Sequence, residues 1–548
     1  VLLFFLFLVT FLENPFNRYF INLSGDVVSS LFPPVMGLEA NPPDGAGLNP
    51  LLRHFGMIVH PPALYLGFTG FVIPYAYAIA ALITGRTDDQ WLRSTRKWSL
   101  MAWLFLSIGL VLGSRWAYDV LGWGGYWGWD AVEVSALIPW LTGTAYLHSQ
   151  VTQERRGMFK RWNIALIIVT FCLVIFGTFL TRSGLLSSVH SFSESTIGPA
   201  FLIFIAVMFI ASLGLLLWRW SDLGTSYQAP SLFSKETAFL ANNLLFVAIA
   251  LICLIGIIFP IASELLTGQK VTVGPPFYKS AVGPLFGLLL LLMGIVPLTI
   301  WGAKTGRNLG KEIWKPALVS LAAPILFLIS GVVQLVPLLT IWVIFFAIAT
   351  TLQDIIKSVR SRAKIHKENR LEAFNNLVTH NRRRYGGYFI HIGIALMGLG
   401  IIGIEFFQTT TQGMVAQGQS LHLSGYTFTY NELNIMDTPD GRNSAVASIS
   451  ISRNGKQVGM VYPASNYYYA AQQSVSKPGI RSTLQDDLYV VLVDWLDITS
   501  EGATFKIFRN PLVSWLWIGS IVLVLGTLVA LWPSPERKQV LQENKEVT

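Results

Sequence analysis

Charge is scarce in this chain. Asp, Glu, Lys and Arg make up 13% of its 548 residues, against roughly 25% in ordinary soluble domains, which excludes a water-soluble globular fold. Cysteine is nearly absent: Cys172 and Cys253 both lie in apolar runs, and there is no C-x-x-C or C-x-x-C-H. That excludes a covalently attached c-type haem and thiol oxidoreductase work on this chain, and leaves both cysteines as packing residues. Internal repetition is lacking as well, so the inverted repeats and paired broken helices of secondary transporters find no counterpart.

What is present is apolar, at 53% hydrophobic residues. Runs of about 20 residues, enough to cross ~30 Å of hydrocarbon, fall near 61–84, 98–117, 131–150, 162–181, 200–218, 238–259, 283–302, 316–333, 336–356, 387–406 and 511–532. Eleven spans are expected. The stretch 1–12 is too short to cross and opens on Val1, so it reads as the end of a helix whose start is missing. The net charge of +9 does not point to nucleic acid, because the basic residues keep to alternate loops: Arg86 to Lys97, Arg155 to Arg161, Lys304 to Lys315 and Lys357 to Arg384. Positive-inside sorting puts those loops in the cytoplasm. Segments 13–60, 118–130, 182–199, 260–282 and 407–510 then lie outside. Alternation in "YTFTY", "SAVASISISRNGKQVGMVYPA" and "DLYVVLVDWL", with Asn454-Gly455 as a hairpin turn, predicts a small antiparallel β domain in the last of these. Its "SNYYYAAQQ" run fits a partner surface or a packed strand end. The expected fold is a polytopic α-helical membrane protein with a small extracytoplasmic β domain inserted before the last transmembrane helix: 1–406 helical, 407–510 β, and 511–548 a final span and cytoplasmic tail.

The outer loop at about 118–133 contains "WGGYWGWD", Trp123 to Asp130, with three tryptophans, a tyrosine and three glycines. A helix interior disfavours it, since each Gly costs about 1 kcal/mol against Ala; a large flat ligand suits it. Haem has two apolar faces, a propionate edge and an iron that takes axial nitrogen. Trp123, Tyr126, Trp127 and Trp129 offer aromatic area, and Gly124 and Gly125 allow close backbone approach. His60 in "VHPPALY", before a helix that Pro61 and Pro62 can open, and His190 in "SGLLSSVHSF" share this outer face. They are either interfacial anchors or axial ligands. His148 lies about 17 residues, ~25 Å, into the span that begins near Ala131, and His391 lies just inside the cytoplasmic end of 387–406. An ionisable group within a span is a functional candidate; this pair, at one depth, either hydrogen-bonds to neighbours or clamps one iron from both sides. Asp130, three residues before Glu133, fits a capping box, and Arg182 either meets a propionate or anchors its helix. His54 is ambiguous, whereas His366, His380 and His422 fit solvated or local roles.

The arrangement resembles the CcmF-type haem lyases of bacterial cytochrome c maturation. The likeness rests on "WGGYWGWD", the "VHPP" before it, the "LHS" after it and "TRSGLLSSVHSF" one span later, and it covers essentially the whole chain, β domain included. Tyr126 stands where many relatives carry Trp, and Gly128 and Ala131 where they often carry Phe and Pro; the family also has further spans upstream. The resemblance implies a bacterial inner-membrane protein with its active face in the periplasm. It implies that haem from the chaperone CcmE is held with His60 and His190 as ligands and joined to the C-x-x-C-H cysteines of apocytochrome c, whose thiols the partner CcmH keeps reduced. It implies further a permanent b-type haem between His148 and His391, which either relays electrons from quinol to the incoming haem or staples the two helices that carry its ligands. No side chain reads as a nucleophile. On the residues alone, a haem exporter or loading protein and a multispan transporter stay open as alternatives.

Overall fold

The computed structural model describes residues 1–34, 38–40, 47–183, 197–224, 234–299, 306–495 and 502–533. Helix α1 (Leu2–Phe7) leads to a small antiparallel sheet, β1 (Arg18–Ile21), β2 (Val27–Ser30) and β3 (Leu38–Glu39), in the order β2-β1-β3. The bundle then runs through α2 (Gly56–Gly70), α3 (Val72–Thr84), α4 (Gln90–Val120), α5 (Ala131–Arg156), α6 (Lys160–Ser183) and α7 (Gly198–Trp218). It continues with α8 (Lys235–Thr267), α9 (Pro275–Ile295), α10 (Gly306–Ser320), α11 (Ala322–Ile329), α12 (Leu335–His366), α13 (Arg370–His380) and α14 (Arg382–Phe407). Ten strands follow: β4 (Thr409–Ala416), β5 (Ser420–Leu423), β6 (Tyr426–Thr438), β7 (Arg442–Arg453), β8 (Lys456–Val461), β9 (Ala464–Tyr468), β10 (Gln473–Lys477), β11 (Gly479–Ser482), β12 (Asp486–Trp495) and β13 (Gly502–Pro511). Helix α15 (Val513–Leu531) closes the described chain.

Among the described residues ten helical segments are long and apolar enough to cross a membrane, which makes this a polytopic membrane protein. The eleventh expected span is a full-length helix, α5, that falls short in hydropathy for a physical reason. It is an inner helix, and Ser135, Thr142, Ser149, Gln150, Thr152 and Gln153 on it are all buried. Polar groups shielded from water need partners within the protein; Ser149, Gln150 and Gln153 have them, whereas the Thr152 hydroxyl is buried without one. Ser149 bonds to Asn163, which donates to Gln153 at 2.7 Å; Gln153 donates to Asp89 at 2.8 Å and Gln150 to the Leu92 carbonyl at 3.0 Å. On the outside of the bundle α7 presents Leu202, Ile203, Val207, Ile210 and Leu217 at its exposed surface. Two local expectations are corrected. Helix α2 begins at Gly56, a turn before the proline pair, so Pro61 and Pro62 sit inside it and cannot donate to the carbonyls one turn back. The basic connection 357–384 is largely helical, formed by the end of α12 and by α13, whose first turn Asn369 and Glu372 close as a capping box.

The ten strands form two sheets, β10-β9-β7-β6-β5 with β8 added on β7, and β11-β12-β13-β4. Phe428, Ile449 and Ile451 from one meet Leu488, Val490, Leu492, Phe505 and Ile507 from the other, a β-sandwich as the alternation predicts. Asn454 and Gly455 both take positive φ, 50° and 75°, in the two-residue turn between β7 and β8, the backbone a tight hairpin needs. Strand β12 does not alternate: Asp486 to Leu492 are buried on both sides. Leu488, Val490 and Leu492 face the sandwich core, whereas Tyr489 and Val491 pack with Tyr118, Ile404, Phe508 and Val513 at the end of the bundle.

The sandwich hangs between α14 and α15, and these two helices touch backbone to backbone. A Cβ on Gly393 would stand 2.6 Å from the Leu523 nitrogen, on Gly386 2.7 Å from the Ala530 nitrogen, and on Gly526 2.7 Å from the Ile390 nitrogen. The glycines recur every seven residues on α14 (386, 393, 400) and on α15 (519, 526), a seam of small residues of the kind that joins helices in lipid. Gly393→Ala should therefore lower stability by about 1–3 kcal/mol through overpacking that the backbone cannot relieve. Thermal melting in detergent measures it against Gly387→Ala, where nothing lies within 4 Å of the added methyl and no loss is expected.

Candidate functional site

The tryptophan loop joins α4 to α5 and is shaped from both ends. At the α5 end Asp130 is the N-cap: its side chain accepts from the Val132 nitrogen at 3.1 Å, while Glu133 accepts from the nitrogens of Asp130 at 3.2 Å and Gly128 at 3.0 Å. Glu133 thus grips the amides on both sides of Trp129, which has φ 56°. A bulky residue in the left-handed region is held there by its surroundings at a cost of about 1–3 kcal/mol. Its indole lies flat on Tyr278 of α9, 5.0 Å between centres and 6° between planes, and meets Trp127 edge-on at 6.1 Å. Trp123 is the exposed member; its ring crosses Gly128, where a Cβ would collide with it.

At the other end the loop is docked on the sandwich. Gly124 is buried, and the Phe508 ring stands 2.6 Å from where its Cβ would be. Tyr126 packs with Tyr489, Phe508 and Ile404. The Tyr118 hydroxyl at the end of α4 donates to Asp487 at 3.1 Å, and Tyr489 donates to the Tyr118 carbonyl at 3.0 Å. Of the two glycines expected to admit a ligand, Gly124 admits the Phe508 ring instead, whereas Gly125 has nothing within 4 Å of its would-be Cβ; Gly128 is likewise covered, by Trp123.

His60 stands inside α2 rather than ahead of it, in a groove of α4 made by Gly109 and Gly113. Its Nδ1 lies 2.7 Å from the Gly109 carbonyl, and a Cβ on Gly113 would meet the ring at 2.6 Å. A carbonyl only accepts, so Nδ1 carries the proton and, in the neutral ring, Nε2 carries the lone pair, the usual arrangement of a histidine held for a metal. Arg182 is exposed in the last turn of α6. His190 lies outside the described residues.

His148 and His391 come together. Their ring centres are 6.3 Å apart and their planes 5° from parallel. Two imidazoles on opposite sides of one metal ion, each bonded at about 2.0–2.1 Å, place their centres roughly 6 Å apart, so the spacing fits one ion between them. His148 Nδ1 donates to the Thr144 carbonyl at 2.8 Å, which leaves Nε2 as the lone-pair nitrogen. Thr144 is itself held, its hydroxyl accepting from Trp103 at 2.8 Å. Phe239 and Phe246 of α8 flank His148 at 6.1 Å each. The His391 Nδ1 is buried without a hydrogen-bond partner. Helix α5 packs on α6 and α8, and α14 on α12 and α15, and Arg383 of α14 pairs with Glu154 of α5 at 2.5 Å, so the two helices that carry the rings also meet directly.

The other histidines have local duties. His54 Nδ1 accepts from the Gly56 nitrogen at 3.1 Å, His380 donates to the Asn376 carbonyl at 2.8 Å, and His422 bonds Thr427 at 3.1 Å. Sequence reading missed Tyr278, Thr144, Gln408 and Asn510. Thr144 lies one turn before His148 on the same helix, while the other three touch the site from far along the chain, and only the position of Tyr278 near the start of a proline-opened helix hinted at its place.

Residues 1–187 match the family described as cytochrome C assembly protein, and residues 406–511 match the CcmF C-terminal beta-sandwich. The cytochrome c-type biogenesis protein CcmF of Pseudomonas fluorescens is 34% identical over 92% of this chain and 75% of its own length, and that of Escherichia coli 33% over 98% and 78%. A solved cytochrome c heme lyase CcmF superposes with a TM-score of 0.71 at 31% identity, over 88% of this chain and 73% of that one. The chain belongs to the CcmF family.

The docking surface carries a titratable group outside the spans. Burial pushes the Asp487 carboxyl up to about 6, against hydrogen bonds from Ser482 and Tyr118 and the charge of Arg115 that pull it down. An unfolded Asp titrates near 3.9, so the folded chain holds this proton more tightly. The resulting stability is fully present below about pH 4 and is lost as pH rises through about 6, on the order of 3 kcal/mol in all. Comparing melting temperatures of wild type and Asp487→Asn across that window, the wild type should lose stability relative to the variant as pH rises. Parallel profiles would refute the assignment.

Proposed function

We propose that this chain is a haem lyase of cytochrome c maturation in a bacterial inner membrane, with the β-domain end in the periplasm and the basic loops in the cytoplasm. Haem arrives on a CcmE-type chaperone as substrate. Each thiol of an apocytochrome C-x-x-C-H motif, kept reduced by a CcmH-type partner, adds across one haem vinyl group. Sulfur bonds one vinyl carbon and the proton ends on the other, so nothing leaves and no net oxidant is needed. His60 and His190 ligate the incoming iron, Trp123 and Trp127 face the macrocycle with the open Cα of Gly125, Tyr126 backs the platform against the sandwich, and Arg182 meets a propionate. Trp129 and Asp130 serve by building the corner on which that platform stands.

Within the molecule, the observation that carries this reading is the parallel His148–His391 pair. These two residues would hold a b-type haem. Bound there, it would supply a one-electron carrier for the incoming iron, with membrane quinol as the electron source. The chain's own part is orientation and exclusion: the Thr144 carbonyl fixes the tautomer of His148, Trp103 fixes Thr144, and Phe239 and Phe246 wall the site with apolar surface. Ligand identity and burial set the potential of such a centre.

Two sets of variants test the reading. The purified protein should have a low-spin b-type spectrum that His148→Ala or His391→Ala removes while the protein still inserts; a folded protein without haem would sink the buried site. His60→Ala or His190→Ala should stop mature cytochrome c production and leave the buried spectrum unchanged. Normal cytochrome yield from both would make these two histidines interfacial anchors only.

A further inference from the structure

Two amide side chains converge on a single peptide oxygen of the tryptophan loop. The Gly124 carbonyl accepts from Asn510 Nδ2 at 3.0 Å and from Gln408 Nε2 at 2.8 Å, and Gln408 Nε2 also lies 2.7 Å from Asn510 Oδ1. Asn510 Nδ2 donates as well to the Tyr118 hydroxyl at 3.0 Å, so the same amide grips the end of α4 and the fourth residue of the loop that leaves it. Asn510 is fully buried, and Gln408 stands at the surface. Gly124 has φ 73°, so its peptide points where an ordinary residue's rarely does, and Phe508 blocks the space a side chain would take.

The origin of the two amides matters. Gln408 directly follows α14 and Asn510 stands two residues before Leu512, the residue that opens α15. They are the two feet of the β domain, and the glycine seam between α14 and α15 brings them side by side. A second grip, Glu133 on the amides of Gly128 and Asp130, holds the other end of the loop. The stretch Gly125 to Trp127 lies between the two grips.

We propose that Asn510 and Gln408 are positioning residues for haem handling: the feet of the β domain fix Gly124 and thereby set the orientation in which Trp123 and Trp127 meet the substrate. The domain then acts on the loop through its base, whatever its outer surfaces bind. The haem part of this statement rests on the function proposed above; the grip on the loop does not.

The test uses the full chain in lipid nanodiscs with Gln408→Ala, Asn510→Asp and a control, Asn431→Asp, which removes an amide donor to Ser450 far out on the sandwich. Asp keeps the size of Asn510 and loses its donors; Gln408→Ala, at the surface, carries the test should the buried variant fail to fold. Amide hydrogen exchange over 121–128 should quicken about tenfold in the first two variants, the scale of one lost hydrogen bond, while 445–451 in the sandwich core keeps its protection and the control matches wild type. External haem, titrated by absorbance with the buried haem's spectrum as internal reference, should bind about tenfold more weakly to the same two variants. Unchanged loop exchange in both variants would overturn the grip. Faster exchange with unaltered haem affinity would overturn the positioning role. Faster exchange in a protein whose wild type takes up no external haem would uphold the grip and refute the haem-handling reading instead.

Discussion

The close approach of α14 to α15 is the constraint on which the rest of the architecture hangs. Without side chains at Gly386, Gly393, Gly519 and Gly526 the two backbones lie in contact, and everything attached to either helix inherits that geometry. Toward one end, His391 is carried two residues from Gly393. Toward the other, the seam closes at Gly403 against Pro511 and sets Gln408 and Asn510 side by side. One helix pair thereby locates a partner for His148 and the base of the β domain. In lipid, where apolar contact between helices gains nothing over contact with lipid tails, such packing and its hydrogen bonds are the means of association.

The second theme is the placement of polarity. Helix α5 spends its hydrogen bonds inward, on Asn163, Gln153, Asp89 and Leu92 at one end and on its own cap at the other. It carries both Asp130, which fixes the tryptophan loop, and His148. The loop and the buried histidine are thus mounted on one rigid element about 25 Å apart. A solved relative is named a cytochrome c heme lyase, and chemistry carried by a cofactor asks of its protein orientation and electrostatics more than nucleophilic side chains.

Much of this was legible in the linear sequence because the governing rules are local. Asp130 and Glu133 are three residues apart, and a capping box needs only that spacing. Asn454-Gly455 makes its turn from its own backbone preferences. Run length marked the spans, and the matched depths of His148 and His391 followed from counting residues along two helices of opposite direction. Local rules also misled where neighbours intervened. The "DLYVVLVDWL" strand was expected to alternate, but the end of the bundle covers its second face; the prolines after His60 were expected to open a helix that begins a turn earlier; and Gly124, which fits a ligand's approach, is filled by Phe508.

Apolar run length, charge alternation and the residue types at positions 60, 123–130, 148 and 391 determined by themselves that this is a multispan protein with a β domain and a set of groups suited to haem. Each of those properties is written within a window of about 20 residues, the scale on which a helix or a bilayer reads a chain. Only the tertiary structure decided which groups meet. That His148 faces His391 at 6.3 Å, that Tyr278 lies on Trp129, and that Asn510 and Gln408 hold Gly124 are consequences of how helices cross. Crossing is set by summed van der Waals contact along whole seams such as Gly386 to Gly400 against Gly519 to Gly526, a quantity that no short stretch of sequence contains.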